Sequence, residues 1–350
     1  MPLAGLTTLR VGGPARSLLT VTTEPELLHA VKAADAAGER VLLLGGGSNL
    51  VIDDAGWDGV VVHIATHGIR HPDADVASCA DATLVVAAGH SWDDLVAYAV
   101  DAGLGGIEAL AGIPGSVGAT PVQNVGAYGQ EVSQTIAAVR TWDRGERRLR
   151  SFATSQCEFG YRDSIFKRTS RDGPGGTDRY VVLDVTFQLP LADLSLPVAY
   201  AELARRLGIE VGQRAPLREV REAVLELRRG KGMVLDEADH DTWSVGSFFT
   251  NPILDAAMAA GLPEAAPRWA AGPDRVKVSA AWLIEHSGVG KGHGLPGPAA
   301  VSTKHTLALT NRGGAGSSDV LALAREVRAA VSEAFGITLD PEPRLVGAEL

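Results

Sequence analysis

Cysteine is nearly absent: 350 residues carry two, Cys79 and Cys157. Two cysteines make neither a disulfide framework nor a metal-ligand set, and they fit a reducing compartment. The nine histidines show no His-x-x-x-His or similar spacing, so they read as surface or core residues rather than ligands. The start, Met1-Pro-Leu-Ala-Gly-Leu-Thr-Thr-Leu-Arg10, has no basic stretch followed by a long apolar run, which argues against a signal peptide or anchor. Positive charge is also short: the net charge of -10 disfavours a nucleic-acid or anionic-membrane binder. Local lysines and arginines still leave room for an anionic small molecule. The cluster Gly45-Gly-Gly-Ser-Asn49 is neither a dinucleotide-binding G-x-G-x-x-G nor a Walker-type Gly-Lys-Ser/Thr loop, and Ser247 sits in no G-x-S-x-G elbow, so Rossmann, P-loop NTPase and triad-hydrolase readings lack support.

What is present is glycine in two clusters. From Ile107 to Gly129 no charge appears after Glu108, while Gly112, Gly115, Gly118, Gly126 and Gly129 recur. Pro114, Pro121 and the pair Gln123–Asn124 argue against a membrane span. The stretch reads as a loop around a large ligand, offering backbone N–H and C=O groups instead of charges. The second cluster, Gly45-Gly-Gly-Ser-Asn49, follows the apolar run Val41-Leu-Leu-Leu44. A strand ending in such a turn suits an anion, because consecutive backbone N–H groups form a nest. A plain tight turn explains the same residues equally well.

The length allows two or three domains, and 45% hydrophobic residues supply a sizeable core. Thr23-Glu-Pro-Glu26 is a capping box, with Leu27, Leu28, Val31 and Ala34 at helical spacing behind it and Gly38 closing the helix. Val60–Ile64, Thr83–Ala87, Val139–Thr141 and Val181–Leu189 read as strands, and Ser91 opens a second helix that Gly103 ends. Leu217, Val220, Val224 and Leu227 make one apolar helical face ending at Arg229-Gly-Lys-Gly232. Ser317-Ser318 caps a last long helix through Phe335, and Leu339–Gly347 is extended. The run Arg171–Asp178 reads as an exposed loop. That Leu217–Leu227 helix is the expected domain boundary.

Three polar motifs stand in apolar or glycine-rich surroundings. In Phe159–Lys167, Arg162 has the fork of donors that holds a carboxylate, although a surface salt bridge fits the spacing as well. Ser247 lies between Gly246 and two phenylalanines, where a turn-capping serine is the plainer alternative. Glu342, between Pro341 and Pro343, is a carboxylate on a stiffened backbone or part of a frayed end.

Taken in order, Val11-Gly-Gly-Pro-Ala15, Leu44-Gly-Gly-Gly-Ser-Asn49, Ile113-Pro-Gly-Ser-Val-Gly-Ala119, Gln123-Asn-Val-Gly-Ala-Tyr-Gly129, Tyr161-Arg-Asp-Ser-Ile-Phe-Lys167, Gly246-Ser-Phe-Phe249 and Pro341-Glu-Pro-Arg344 resemble the UDP-N-acetylenolpyruvoylglucosamine reductase (MurB) family. The match covers nearly the whole chain, and it resembles the longer form, which carries a tyrosine loop over the substrate, here Tyr200. The resemblance implies an α+β fold: a two-subdomain FAD-binding unit of the vanillyl-alcohol-oxidase type (1–70 and 71–215), a C-terminal α+β substrate domain (216–335) and a final segment (336–350) returning to the active site. It implies non-covalent FAD, NADPH as co-substrate, and reduction of the enolpyruvyl ether of UDP-N-acetylglucosamine to UDP-N-acetylmuramate in peptidoglycan precursor synthesis. It also implies a cytoplasmic enzyme, here expected as a monomer, with no nucleic-acid partner and no membrane insertion. By motif position, Arg162, Ser247 and Glu342 are the catalytic residues. The flavin falls to Gly45, Gly46, Gly47, Ser48, Asn49, Leu50, Ile113, Pro114, Gly115, Ser116, Gly118, Ala119, Gln123, Asn124, Gly126, Ala127, Tyr128 and Arg162. The substrate falls to Tyr161, Arg162, Tyr200, Lys231, Ser247, Asn251 and Glu342, with Lys231 and Tyr200 at the diphosphate.

The chain departs from the family pattern in a short C-terminal tail and in the composition of the Gly288–Pro298 loop. Two rival readings remain at the level of sequence. One is an oxidase of alcohols or sugars on the same flavin scaffold, which would not need Ser247. The other is a non-catalytic nucleotide-sugar binder, against which stands a chemically competent residue at every motif position.

Overall fold

A computed structural model describes residues 2–72 and 81–350; Cys79 lies outside the described residues. The chain forms two compact units. One consists of Ala15–Gly46 and Trp57–Gly230; the other gathers Met1–Pro14, Gly47–Gly56 and Lys231–Leu350. Neither unit is one continuous segment of the chain. The Leu217–Gly230 helix belongs with the residues before it, and two N-terminal stretches belong with the C-terminal third. The physical reason is strand pairing at long range, described below.

The larger unit holds two sheets with a helix between them. Trp57–Ile64 is the centre of a parallel three-stranded sheet, flanked by Ala15–Val21 and Val41–Leu44. The second sheet is antiparallel, in the order Arg148–Ala153, Ile136–Asp143, Tyr180–Pro190, Asp81–Ala87, Ile69–Arg70. Helix Glu24–Ala36 starts at the expected capping box, with Thr23 and Glu26 bonding reciprocally. Its buried face (Leu27, Ala30, Val31, Ala34) packs on Val41 and Val62 of the first sheet and on Trp142, Val181 and Leu183 of the second. Both helix ends are also tied to the Ile136–Asp143 region by arginines. Arg140 bonds Glu24 at 2.8 Å and Asp184 at 2.8 Å. Arg144, fully buried, bonds Asp35 at 2.6 Å, the Thr177 hydroxyl at 2.8 Å and the Asp178 carbonyl. The 171–178 run is therefore more than the exposed loop expected of it. Thr177 is buried because it closes the shell of hydrogen bonds that a buried guanidinium requires.

The smaller unit is built on helix Ser317–Phe335, whose Val320, Ala324, Val327 and Val331 are buried among Leu283, Ile284, Val301 and Leu309. Leu50–Ile52 pairs in parallel with Arg344–Val346 across almost the whole sequence. This pairing, with Gly13 N–H bonded to the Asp53 carbonyl at 2.9 Å, draws the early stretches into the late unit. The cap of the long helix differs from expectation. Ser317 and Ser318 do not cap it with their own hydroxyls; the Asp54 carboxylate accepts both of their N–H groups, at 2.7 and 3.1 Å. A carboxylate supplied from elsewhere satisfies the orphan donors and the helix dipole together. Among the described residues no helix is long and apolar enough to cross a membrane.

The Asp35→Ala variant leaves the buried Arg144 charge without its carboxylate. It should lose about 3–5 kcal/mol of stability, read as a lowered urea midpoint. A loss under about 1 kcal/mol would show that water screens the pair.

Candidate functional site

In the larger unit the two glycine clusters meet backbone to backbone. A side-chain carbon at Gly46 would stand 2.6 Å from the Gly115 Cα, and one at Gly45 2.3 Å from the Ser116 Oγ. The approach itself therefore demands glycine, independently of any ligand. Loop Ile113–Ala119 is anchored on the start of helix Trp92–Asp101. Val117 N–H bonds the His90 carbonyl at 2.9 Å, Gly118 N–H the Ala88 carbonyl at 2.7 Å, and Gly112 N–H the Asp93 carboxylate at 2.6 Å. The whole uncharged stretch is clasped at its ends. Fully buried Glu108 accepts from the Gln130 amide at 2.8 Å, and Gln130 accepts from the Ala109 N–H at 2.9 Å. Two loops rich in backbone polar groups, pressed together, suit a ligand held through backbone N–H and C=O groups.

Beyond them, Asn124, Tyr128 and Arg162 adopt left-handed backbone, with φ of +46°, +50° and +53°. Such conformations cost energy in residues other than glycine and cluster at functional sites. The Asn124 side chain is engaged within the protein: its amide donates to Glu131 at 2.8 Å and to the Gly160 carbonyl at 3.0 Å, and it accepts from Ser133 N–H. Arg162 Nη2 donates to the Gly126 carbonyl at 2.8 Å, so the arginine is fixed on the same loop. Tyr161 is half-buried beside it. Tyr128 and Tyr200 meet edge to face, ring centres 5.4 Å apart, and Tyr200 is 43% exposed at the start of helix Ala201–Leu207. Burial pushes the Tyr128 phenol up to about 12 and also raises Tyr200. A cavity of about 280 Å³ opens between Tyr128–Gln130 and Ser195–Ala199. Gln123 and Ala127 are half-buried on this loop.

In the smaller unit, Gly47 takes φ +61°, and an added carbon would collide with the Leu6 carbonyl at 1.9 Å. Ser48, Asn49 and Leu50 follow, half-buried, leading into the Leu50–Ile52 strand. The Asn49 amide donates to the Glu342 carbonyl at 3.4 Å, and Arg344 N–H donates to the Asn49 carbonyl at 3.0 Å. Glu342 N–H in turn donates to the Phe248 carbonyl at 2.8 Å, and Thr250 N–H to the Asp340 carbonyl at 3.0 Å. Asn49, Ser247 and Glu342 are thus brought onto adjoining backbone within one unit. Asn251 accepts from Ala280 N–H at 2.9 Å, ahead of helix Ala280–His286. Lys231 is half-buried just past the Leu217–Gly230 helix.

Sequence reasoning missed three residues. Glu108 was seen only as the last charge before an uncharged run; its pairing with Gln130, at the far end of that run, is the signal. Arg228, one turn before Lys231, was passed over as part of a charged helix end, yet burial lowers its guanidinium to about 10. Asp241, in the connector to Ser247, is buried and carries no local signal.

A model of the UDP-N-acetylenolpyruvoylglucosamine reductase C-terminal domain matches residues 237–346, and a model of an FAD binding domain matches residues 15–150. UDP-N-acetylenolpyruvoylglucosamine reductase of Cutibacterium acnes is 55% identical over all of this chain and 90% of its own length. The Streptomyces coelicolor enzyme of the same name is 56% identical, with the same coverage. The crystal structure of UDP-N-acetylenolpyruvylglucosamine reductase (MurB) from Thermus caldophilus superposes with a TM-score of 0.66 at 26% identity, covering 99% of this chain and 97% of that one.

Gly46→Ala drives a carbon into backbone and should cost roughly 1–3 kcal/mol in chemical denaturation. Gly45→Ala meets only a serine hydroxyl, so adding Ser116→Ala should restore most of its loss. Failure of that rescue would show that the contact is not what requires glycine at 45.

Proposed function

The chain belongs to the UDP-N-acetylenolpyruvoylglucosamine reductase family, and from that premise we propose how its residues divide the work of one reaction. The enzyme is an FAD-dependent oxidoreductase that reduces UDP-N-acetylglucosamine enolpyruvate to UDP-N-acetylmuramate with NADPH, in peptidoglycan precursor synthesis. When bound, FAD would supply the hydride chemistry that connects NADPH to C3 of the enol ether. The two glycine loops bind it through backbone groups and through Ser48, Asn49, Ser116 and Gln123, without a covalent link.

Hydride arriving at C3 builds negative charge on C2 and on the adjoining carboxylate. Arg162 stabilises that charge, and its fixed donation to the Gly126 carbonyl keeps the guanidinium preorganised. Ser247 gives its hydroxyl proton to C2, and the oxygen left behind regains a proton from Glu342 or water. Glu342 polarises the carboxylate or returns that proton. Lys231 and Tyr200 hold the diphosphate, Tyr161 and Asn251 the remaining substrate groups. NADPH and a UDP-sugar are cytoplasmic metabolites, so the proposal puts the reaction in the cytoplasm. A single chain carries every residue named, so its working unit is a monomer. The observation that supports the assignment best is the backbone pairing of 248–250 with 340–342, which sets the proposed proton donor beside the proposed acid.

Anaerobic half-reactions test it. Purified protein should be yellow, and the Ser247→Ala variant should keep flavin reduction by NADPH while nearly losing reoxidation by the enolpyruvyl substrate. Equal loss of both steps would overturn the role given to Ser247. Fast reoxidation by oxygen in preference to the enolpyruvyl substrate would favour an oxidase.

Lys231→Ala and Tyr200→Phe should weaken substrate binding more than they slow saturated turnover. The lysine effect should shrink as salt rises, because an ammonium–phosphate contact is screened. The tyrosine effect should not change with salt. Equal losses with a fragment lacking the diphosphate would refute the placement of both residues.

A further inference from the structure

Ser247 follows Gly246, which adopts φ +75° and has nothing within 4 Å of where a side-chain carbon would sit. Gly246 itself therefore adds no side-chain packing before the hydroxyl, although its N–H donates to the Ser244 hydroxyl at 3.1 Å. The position of the Ser247 hydroxyl must come from anchors on either side. On the far side the anchor is the Phe248 N–H, bonded to the Leu307 carbonyl at 2.7 Å. On the near side Val245 is buried in the apolar core and Trp243 packs on His240, and the rest of the connector 239–245 is held by polar contacts.

The strongest of these contacts centre on Asp241, which is 5% exposed. One carboxylate oxygen accepts from Thr303 N–H at 2.8 Å and from Arg312 Nη1 at 2.9 Å; the other accepts from the Thr303 hydroxyl at 2.5 Å. Burial pushes the carboxyl up, but the Thr303 bonds and Arg312 outweigh it and hold the group below the usual carboxylate range. The same residue also limits the other end of the connector. At Gly232, φ +65°, an added carbon would lie 2.9 Å from the Asp241 carbonyl oxygen. The backbone at Gly232 and the backbone at Asp241 therefore lie close against one another. Asn311 N–H to the Trp243 carbonyl, at 3.0 Å, and Thr8 Oγ1 to the Ser244 carbonyl, at 2.6 Å, continue the line of ties toward Ser247.

We propose that Asp241 is a positioning residue for proton delivery: by clamping the 232–247 connector to Thr303 and Arg312 it sets where the Ser247 hydroxyl points. The inference rests on Ser247 being the proton donor. Asp241 touches no reacting atom in this account. It acts through Ser247, and its effect should disappear when Ser247 has no hydroxyl to aim.

The test is a double-mutant cycle read in single turnovers of the holoenzyme. Asp241→Asn keeps the shape but loses the charge that Arg312 and the Thr303 hydroxyl bond. Reoxidation of the reduced enzyme by the enolpyruvyl substrate should slow on the order of tenfold, as expected when a reacting group is misaligned. Flavin reduction by NADPH should stay within about twofold, since it needs no Ser247 proton. In the Ser247→Ala background, Asp241→Asn should cause no further slowing, which is the signature of coupled residues. The same fold-loss in both backgrounds, or equal slowing of both half-reactions, would overturn the proposal and leave Asp241 a general structural residue. If Asp241→Asn does not retain flavin, Thr303→Val removes one of the same bonds from the surface side. It should give a smaller loss with the same dependence on Ser247, and no loss there would equally refute the idea. A Ser247→Ala variant that reoxidises at the normal rate is a different failure, because it removes the proton-donor assignment and this inference with it.

Discussion

The parallel pairing of Leu50–Ile52 with Arg344–Val346 is the constraint on which the smaller unit depends. Three residues on each side carry it, and a short isolated pair of strands has little stability of its own. What makes it hold is its neighbourhood: Val51 and Ile52 are fully buried, and Asp54, just beyond the strand, caps the helix whose apolar face forms that unit's core. The consequence reaches function through register. Once Arg344 lies against Leu50, the Arg344 N–H meets the Asn49 carbonyl, and Glu342 is delivered beside the end of the glycine turn. Two residues further back along the chain, Asp340 bonds the Thr250 backbone, which fixes the Ser247 segment in turn. A single pairing thus orders three distant motifs.

In the larger unit the equivalent constraint is steric. Gly46 against Gly115 leaves no room for a side chain on either loop, and the Glu108–Gln130 clasp closes the span between them and the rest of the unit. Fixing two loops by contact between their backbones leaves their N–H and C=O groups ordered without enlisting charged residues. The cost appears as left-handed backbone at Asn124, Tyr128 and Arg162, which the surrounding bonds hold in place.

Elements whose cause is local were legible in the sequence. Thr23 and Glu26 announce a helix because a capping box needs only residues three apart, and Val41–Leu44 before three glycines announces a strand and turn. The motifs of the site were legible for the same reason, as short runs of fixed composition. What could not be read is whatever depends on partners far along the chain. Ser317 and Ser318 looked like caps because nothing near them names Asp54 as the acceptor. The Arg171–Asp178 run looked like a surface loop because the guanidinium that buries Thr177 comes from Arg144. The pairing of Leu50–Ile52 with Arg344–Val346, which joins an early stretch to the last residues, is likewise invisible to any reading of neighbours in sequence.

The same asymmetry bears on which residues control the chemistry. A motif residue such as Ser247 can be recognised because its hydroxyl is needed for a reaction, but the angle at which it works is set by groups that share no motif with it. Carboxylates withdrawn from water and holding several donors recur in that supporting role: Asp35 on Arg144, Glu108 on Gln130 and Gly106, Asp241 on Thr303 and Arg312. Each is expensive to desolvate and becomes tolerable only when all its acceptor sites are filled, so each admits one arrangement of its partners and penalises the alternatives. Apolar packing is forgiving of small displacements, whereas a proton donor that must reach one carbon is not. Polar ties of this kind are therefore the appropriate means of fixing short glycine-rich segments that carry no core of their own.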